Sequence, residues 1–249
     1  KQARFARKSR VMGLPAESLP LSRPEPSFDL EAELMDKYSG PVAGIDEAGR
    51  GPWAGPVVVA AVILNPDRIP EGLNDSKLLT PEIREDRYAE IMATAIVSVV
   101  IGPVRQIDRI NILQASLWGM RAAYRRLRVP AGSALIDGNI VPKRFPCKAR
   151  AVVGGDGLSL SVAAASIVAK VTRDRLMAER ARDYPGYGWE TNRGYGTPEH
   201  YRGLEALGVT PLHRRSFAPV REIMARHDQP KLPLQESIPA SPLSHTATC

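Results

Sequence analysis

Apolar positions change their period several times along this chain, and each change marks a boundary between a strand and a helix. Three short runs rich in β-branched residues are bounded by Gly or Pro: 41–46 (PVAGID), Pro56–Leu64 (PVVVAAVIL) and Ile96–Ile101 (IVSVVI). Their length and composition predict strands. Two more follow at Ala134–Ile136 and Arg150–Val153. Between them the period lengthens to that of a helix. The stretch from Asp29 to Asp36 reads as a short capped helix, and Thr80-Pro81-Glu82 supplies an N-cap and a first-turn proline for a helix running to about Ala93. Ile110, Leu113, Leu117, Tyr124 and Leu127 share one face, predicting a single long helix over 109–128. Leu160–Arg180 is an Ala-rich helix whose small side chains imply close packing on a sheet, and Thr197-Pro198-Glu199 starts another helix. The first three strands are joined by links suited to antiparallel pairing, whereas the later ones need helical crossovers. The pattern predicts an α/β domain built on a mixed sheet.

The ends break this pattern. Residues 1–29 carry Lys1, Arg4, Arg7, Lys8 and Arg10, then Pro15, Pro20, Pro24 and Pro26, and read as a basic, Pro-rich extension. Residues 227–249, with Pro230, Pro233, Pro239 and Pro242, read as a disordered tail. The domain is expected over 30–226. No apolar run approaches the ~20 residues of a membrane span. The formal net charge of +7 favours an acidic partner such as nucleic acid, though a merely basic protein would look the same. Cys147 and Cys249 are the only cysteines, too few for a disulfide framework, so a cytoplasmic location is expected. With no interface motif in view, a monomer is the expectation.

Chemistry enters with the acids. Asp46 and Glu47 end the first strand and run directly into Ala48-Gly49-Arg50-Gly51. Asp137 follows the fourth strand and precedes Gly138-Asn139, and Asp156 follows Val153-Gly154-Gly155 just past the fifth. In α/β sheets ligands gather at such strand ends. Carboxylates brought together there would repel by roughly 3 kcal/mol per pair at ~5 Å and an effective dielectric of ~20. Protonation or a divalent cation must offset this. An all-carboxylate set without nearby Cys or His selects Mg²⁺ or Mn²⁺ over zinc. Each acid alone could also be a turn cap.

The residues that carry this chemistry resemble ribonuclease HII. The similarity runs over about 40–220 through GIDEAGRGPWAGPVVVAAVIL (44–64), NDSKLL (74–79), INILQAS (110–116), IDGN (136–139), GGD (154–156), SVAAASIVAKVTRD (161–174), NRGYGTPEH (192–200) and PLHRRSF (211–217). The resemblance implies an RNase H-like fold: a central five-stranded mixed sheet flanked by helices, with a C-terminal helical extension from about residue 183. It implies an endonuclease that cuts RNA in RNA–DNA hybrids and incises 5′ of single ribonucleotides in duplex DNA, leaving 3′-hydroxyl and 5′-phosphate ends. Asp46, Glu47, Asp137 and Asp156 match the family's metal-binding acids, so two Mn²⁺ or Mg²⁺ ions are implied. Gly49, Arg50 and Gly51 match its reader of the ribose 2′-hydroxyl, and Tyr195 its sugar-stacking tyrosine. Trp53 departs from the pattern, standing where a smaller aliphatic residue is usual. The related ribonuclease HIII carries a different glycine motif and a folded N-terminal domain, for which the Pro-rich extension is too short.

Further basic residues remain open. Lys77 and Lys170 are candidate phosphate contacts, with Ser166 one turn before Lys170. Lys170 could equally pair with Asp174 at i, i+4. His213, Arg214 and Arg215 form a basic cluster that suits either phosphate or a structural salt bridge. Arg121, Arg125, Arg126 and Arg128 read as the solvated face of a helix.

Overall fold

A computed structural model of the chain describes residues 25–227. The chain forms α1 (Asp29–Tyr38), β1 (Val42–Ala48), β2 (Val57–Ile63), α2 (Pro81–Thr94) and β3 (Ile96–Gly102). Then come α3 (Val104–Ile110), α4 (Ile112–Arg125), β4 (Ser133–Asp137), β5 (Lys148–Val152) and α5 (Leu160–Asp183). Short helices α6 (Trp189–Asn192), α7 (Pro198–Leu207) and α8 (Ala218–His227) complete it. The expected extension over 1–29 and tail over 227–249 lie outside the described residues, except at 25–29 and 227.

The five strands make one mixed sheet in the order β3-β2-β1-β4-β5. β1 pairs antiparallel with β2 and parallel with β4, as the linker lengths require. β2 is buried along its whole length, which explains its unbroken apolar run. One face is covered by α5, whose Ala163, Ala164, Ala165 and Ala169 are wholly buried against Val58, Ala60 and Val62. α4 covers the other face through Met120, Ala123 and Tyr124. The small residues let α5 approach closely. At Gly44 of β1 a Cβ would lie 2.1 Å from the carbonyl carbon of Ser161, so only glycine fits there. Ser159 caps α5, and the fully buried carboxylate of Glu31 accepts hydrogen bonds from Ser159 Oγ (2.6 Å) and Ser161 N–H (2.7 Å).

One expectation fails. The helix predicted over 109–128 is two helices, broken at Asn111, whose φ is +64°. With ψ at +166° this is a strained backbone for a residue other than glycine, and the Asn111 side chain offsets it by accepting from Gln114 N–H (3.0 Å), capping α4 as α3 ends. The apolar period runs through the break unchanged, so it conceals the turn.

Beyond α5, helices α6 to α8 build a separate core around Met177, Tyr187, Trp189, Leu204, Val220 and Ile223. This helical extension leans on the loop that follows β1. Trp53 N–H and Ala54 N–H donate to the Gly194 carbonyl (2.8 and 3.3 Å), and Gly55 N–H donates to that of Leu212 (2.8 Å). The Trp53 ring packs over Gly196 and beside His200, which accounts for the larger residue there.

Candidate active site

A cleft of about 490 Å³ opens at the carboxyl ends of β1 and β4. Asp46, Glu47, Gly49, Arg50, Gly51, Lys77, Asp137, Ser166, Lys170 and Tyr195 line it, all of them residues the sequence singles out. Asp46 and Asp137 follow Ile45 and Ile136, which are paired across the parallel ladder, so the backbones of the two acids are neighbours. Asp46 is buried and accepts from Glu47 N–H (2.7 Å). Burial, then the charges of Glu47 and Asp137, push its carboxyl well above the usual range. Burial also raises Glu47, with Arg50 opposing. Arg50 reaches one Glu47 oxygen at 3.2 Å, while the other, Oε2, is buried without a partner.

Asp137 accepts from Gly155 N–H (2.8 Å). Asp156 sits to one side. It borders a neighbouring depression together with Asp75 and Gly154 and is bonded by Lys77 at 3.3 Å. Burial raises Asp156 against the pull of Lys77. Among the described residues no three His, Cys, Asp or Glu side chains form a ready cage for an ion. The donor set nonetheless fits a hard cation: carboxylate oxygens that repel one another, one of them buried and unpartnered.

Tyr195 is 45% exposed, so its ring is not part of the core but stands free at the cleft. A Cβ on Gly51 would lie 3.6 Å from the Tyr195 ring, so the two face each other. Lys170 lines the cleft and bonds Asp174 (2.8 Å), the i, i+4 pairing that its spacing allows. Lys77 is exposed and bridges Asp75 and Asp156; their charges outweigh burial and hold its ammonium above its ordinary value.

His213 and Arg214 do not line the cleft. Both are buried, at 1% and 0% exposure. His213 belongs to a chain of neutral rings in the helical extension. Its Nδ1 accepts from Thr210 N–H (2.9 Å), which leaves Nε2–H to donate to His200 Nε2 (3.0 Å). Trp189 Nε1–H also donates to that nitrogen (3.1 Å), so His200 Nδ1–H donates to the Tyr195 carbonyl (2.9 Å). Burial, then His200, drives the His213 pKa down to about 3. The Arg214 guanidinium bonds only backbone carbonyls, those of Gly49, Arg50, Gly55 and Pro56. Arg215 is exposed, and its backbone N–H bonds Asp108 (3.2 Å). Of the helix-face arginines, Arg125, Arg126 and Arg128 are solvated, while Arg121 is half-buried and bonds the Lys143 carbonyl.

The cleft also contains Ser76 and Arg84, which the sequence reading missed. Ser76 Oγ lies 2.9 Å from Ser166 Oγ, and Arg84 donates to the Ser76 carbonyl (2.7 Å). Ser76 stands inside the Asp75-Ser76-Lys77 motif and was findable. Arg84 lies on an exposed-looking helix and had no signal. Arg173 was missed too: it is buried beneath the loop after β1, bonding the carbonyls of Ala54 (3.1 Å) and Pro56 (3.0 Å).

Known proteins resemble this chain in sequence and in fold. A ribonuclease HII of Jannaschia sp. is 54% identical over 199 residues, covering 80% of this chain and 98% of that protein. The crystal structure of the ribonuclease H2 from Pyrococcus horikoshii matches with a TM-score of 0.65 at 30% identity, covering 74% of this chain and 97% of that one. Bst ribonuclease HIII in complex with Mn²⁺ shares the fold, with a TM-score of 0.57 at 22% identity, covering 80% and 74% of the two chains. No described helix is long and apolar enough to cross a membrane. The family model for ribonuclease HII matches residues 43–220, and with Asp46, Glu47, Asp137, the glycine turn and Tyr195 around one cleft the chain belongs to the ribonuclease HII family, enzymes that cleave the RNA of RNA–DNA hybrids.

Proposed function

We propose that this ribonuclease H also incises duplex DNA on the 5′ side of a single embedded ribonucleotide, leaving a 3′-hydroxyl and a 5′-phosphate. Ribonucleotide and primer removal are the tasks such an activity serves. The observation that carries this reading is continuity: the acids of β1 run without interruption into a glycine turn that faces Tyr195 across the same cleft. A cut made at that point is made beside a group able to test the sugar. The 2′-hydroxyl is the only local handle that distinguishes ribose from deoxyribose.

Asp46, Glu47, Asp137 and, after release from Lys77, Asp156 would hold two divalent cations, Mn²⁺ or Mg²⁺. Bound there, such ions supply the Lewis acidity that activates water and stabilises the leaving oxygen. The chain's own residues do the rest. Gly49, Arg50 and Gly51 approach the ribose through their backbone, and Tyr195 stacks on the neighbouring sugar. Lys77, Lys170 and the Ser166 hydroxyl face the backbone phosphates. With Asp156 in the ligand set, Lys77 becomes free for a phosphate.

The test is incubation with duplex DNA holding one ribonucleotide, in Mn²⁺ or Mg²⁺, against an all-DNA duplex and an RNA–DNA hybrid. Incision 5′ to the ribonucleotide with none of the all-DNA control is expected. Hybrid cutting without incision at the single ribonucleotide would refute the proposal.

A further inference from the structure

Arg214 is a fully buried cation that no carboxylate bonds among the described residues. Its Nη2 donates to the Gly49 carbonyl (2.5 Å) and its Nη1 to the Arg50 carbonyl (2.9 Å), while Nε holds the Gly55 carbonyl (3.0 Å). One planar fork therefore takes two consecutive peptide units of the glycine turn. Every described peptide bond is trans, and in a trans peptide the C=O and the following N–H point in opposite directions. With the carbonyls of Gly49 and Arg50 drawn down onto Arg214, the N–H groups of Arg50 and Gly51 must point the other way, toward the cleft that both residues line. Neither N–H has an acceptor among the described residues.

Arg173 reinforces the arrangement. It too is buried, holds the carbonyls of Ala54 and Pro56, and stands 5.9 Å from the centre of the Tyr195 ring. Gly49 has φ +99°, and a Cβ there would strike Arg173 Nε at 2.1 Å. The turn is thus shaped against two guanidinium groups. Burial lowers Arg173 to about 10 and Arg214 to about 9, so both remain cations at neutral pH.

We propose that Arg214 is a positioning residue for sugar selection: by fixing two carbonyls inward it presents the Arg50 and Gly51 amides as a preformed pair of donors for the ribose 2′-hydroxyl and its adjoining phosphate. Preorganised donors cost no rearrangement when the ligand arrives, whereas a loose turn must order first. This inference rests on the reading of the turn as the ribose sensor. Lys in place of Arg214 keeps the charge but loses the planar fork, so it cannot hold both carbonyls in one geometry.

The experiment compares Asp46→Asn with Asp46→Asn/Arg214→Lys, so that binding is read without turnover. Affinity is measured for a duplex with one ribonucleotide and for the same duplex in all-deoxy form, alongside the melting temperature. The ribo-over-deoxy preference is expected to fall on the order of tenfold, the worth of one or two hydrogen bonds, with all-deoxy affinity nearly unchanged. A preference that survives, or an equal loss of both affinities in a folded protein, would overturn the proposal. If Arg214→Lys does not fold, Phe217→Leu replaces it, since the Phe217 ring supports the guanidinium at 5.1 Å without sharing its hydrogen bonds. A folded Phe217→Leu protein of unchanged preference would then overturn it. Failure of the sensor reading looks different: the Asp46→Asn protein alone would show no preference.

Discussion

Acid should unlatch the helical extension through His213. Each acceptor nitrogen in the ring chain faces an N–H donor: Thr210 at His213 Nδ1, and both Trp189 and His213 at His200 Nε2. A proton added at either nitrogen therefore breaks a hydrogen bond and places a charge in a buried site. Around the rings stand Tyr187, Trp189 and Trp53, none of which offers a compensating anion. The unfolded chain takes up this proton near pH 6.5, whereas the folded state resists it to about 3. The unfolded state thus binds more protons below pH 6.5, and stability falls as the pH falls. At about 1.4 kcal/mol per pH unit, His213 alone removes about 2 kcal/mol between pH 7 and pH 5, or about 4–8 °C in melting temperature for a domain of this size. His200, also lowered by burial, acts in the same direction. The raised carboxyls of Asp46, Glu47 and Asp156 act oppositely, since a folded state that protonates more readily gains on acidification. The measurement is therefore a difference: urea unfolding of the native protein and of His213→Gln at pH 7, 6 and 5. The native protein should lose about 2 kcal/mol more than the variant across that range. Parallel curves would refute the argument.

Three further outcomes are expected. Gly44→Ala would press a methyl against the backbone of Ser161 and Val162, so it should destabilise by about 3 kcal/mol or more; an unchanged urea midpoint would mean that α5 can retreat. Mn²⁺ should raise the melting temperature, with EDTA reversing the rise, and Asp46→Asn should abolish both the rise and turnover while retaining duplex binding. Near-full turnover by Asp46→Asn would remove this residue from the metal site. Tyr195→Ala, which removes an exposed ring, should leave the melting temperature within about 2 °C while single-ribonucleotide incision drops more than tenfold. A comparable loss of all-DNA affinity would recast Tyr195 as a packing residue.

What could be read in advance was whatever one element determines alone. The β2 run, the caps at Thr80 and Thr197, and the acids at strand ends are local signals, and they are found where the pattern predicts. The misread residues depend on partners in other segments, far along the chain for Arg214 and 13 residues away for His213. Arg214 meets Gly49 and His213 meets His200 only after the helical extension folds back, so a basic cluster in sequence becomes a buried support. Arg173 did leave a trace: with Ser166, Ala169 and Met177 it shares the buried stripe of α5, an odd place for a cation without a ligand to hold. The break at Asn111 was hidden because the apolar spacing of Ile110, Leu113 and Leu117 runs across it.

The parallel ladder joining β1 to β4 carries one more consequence. The separation of the Asp46 and Asp137 backbones is set by interstrand spacing, about 4.8 Å, a length that no single side chain controls. Substitutions can unmake that ruler but cannot finely adjust it. The selecting parts, the glycine turn and Tyr195, lie on loops outside the sheet, the turn held there by Arg214. Redesign of sugar preference can therefore work on the loops and the arginines that hold them, because the gauge that spaces the acids belongs to the sheet.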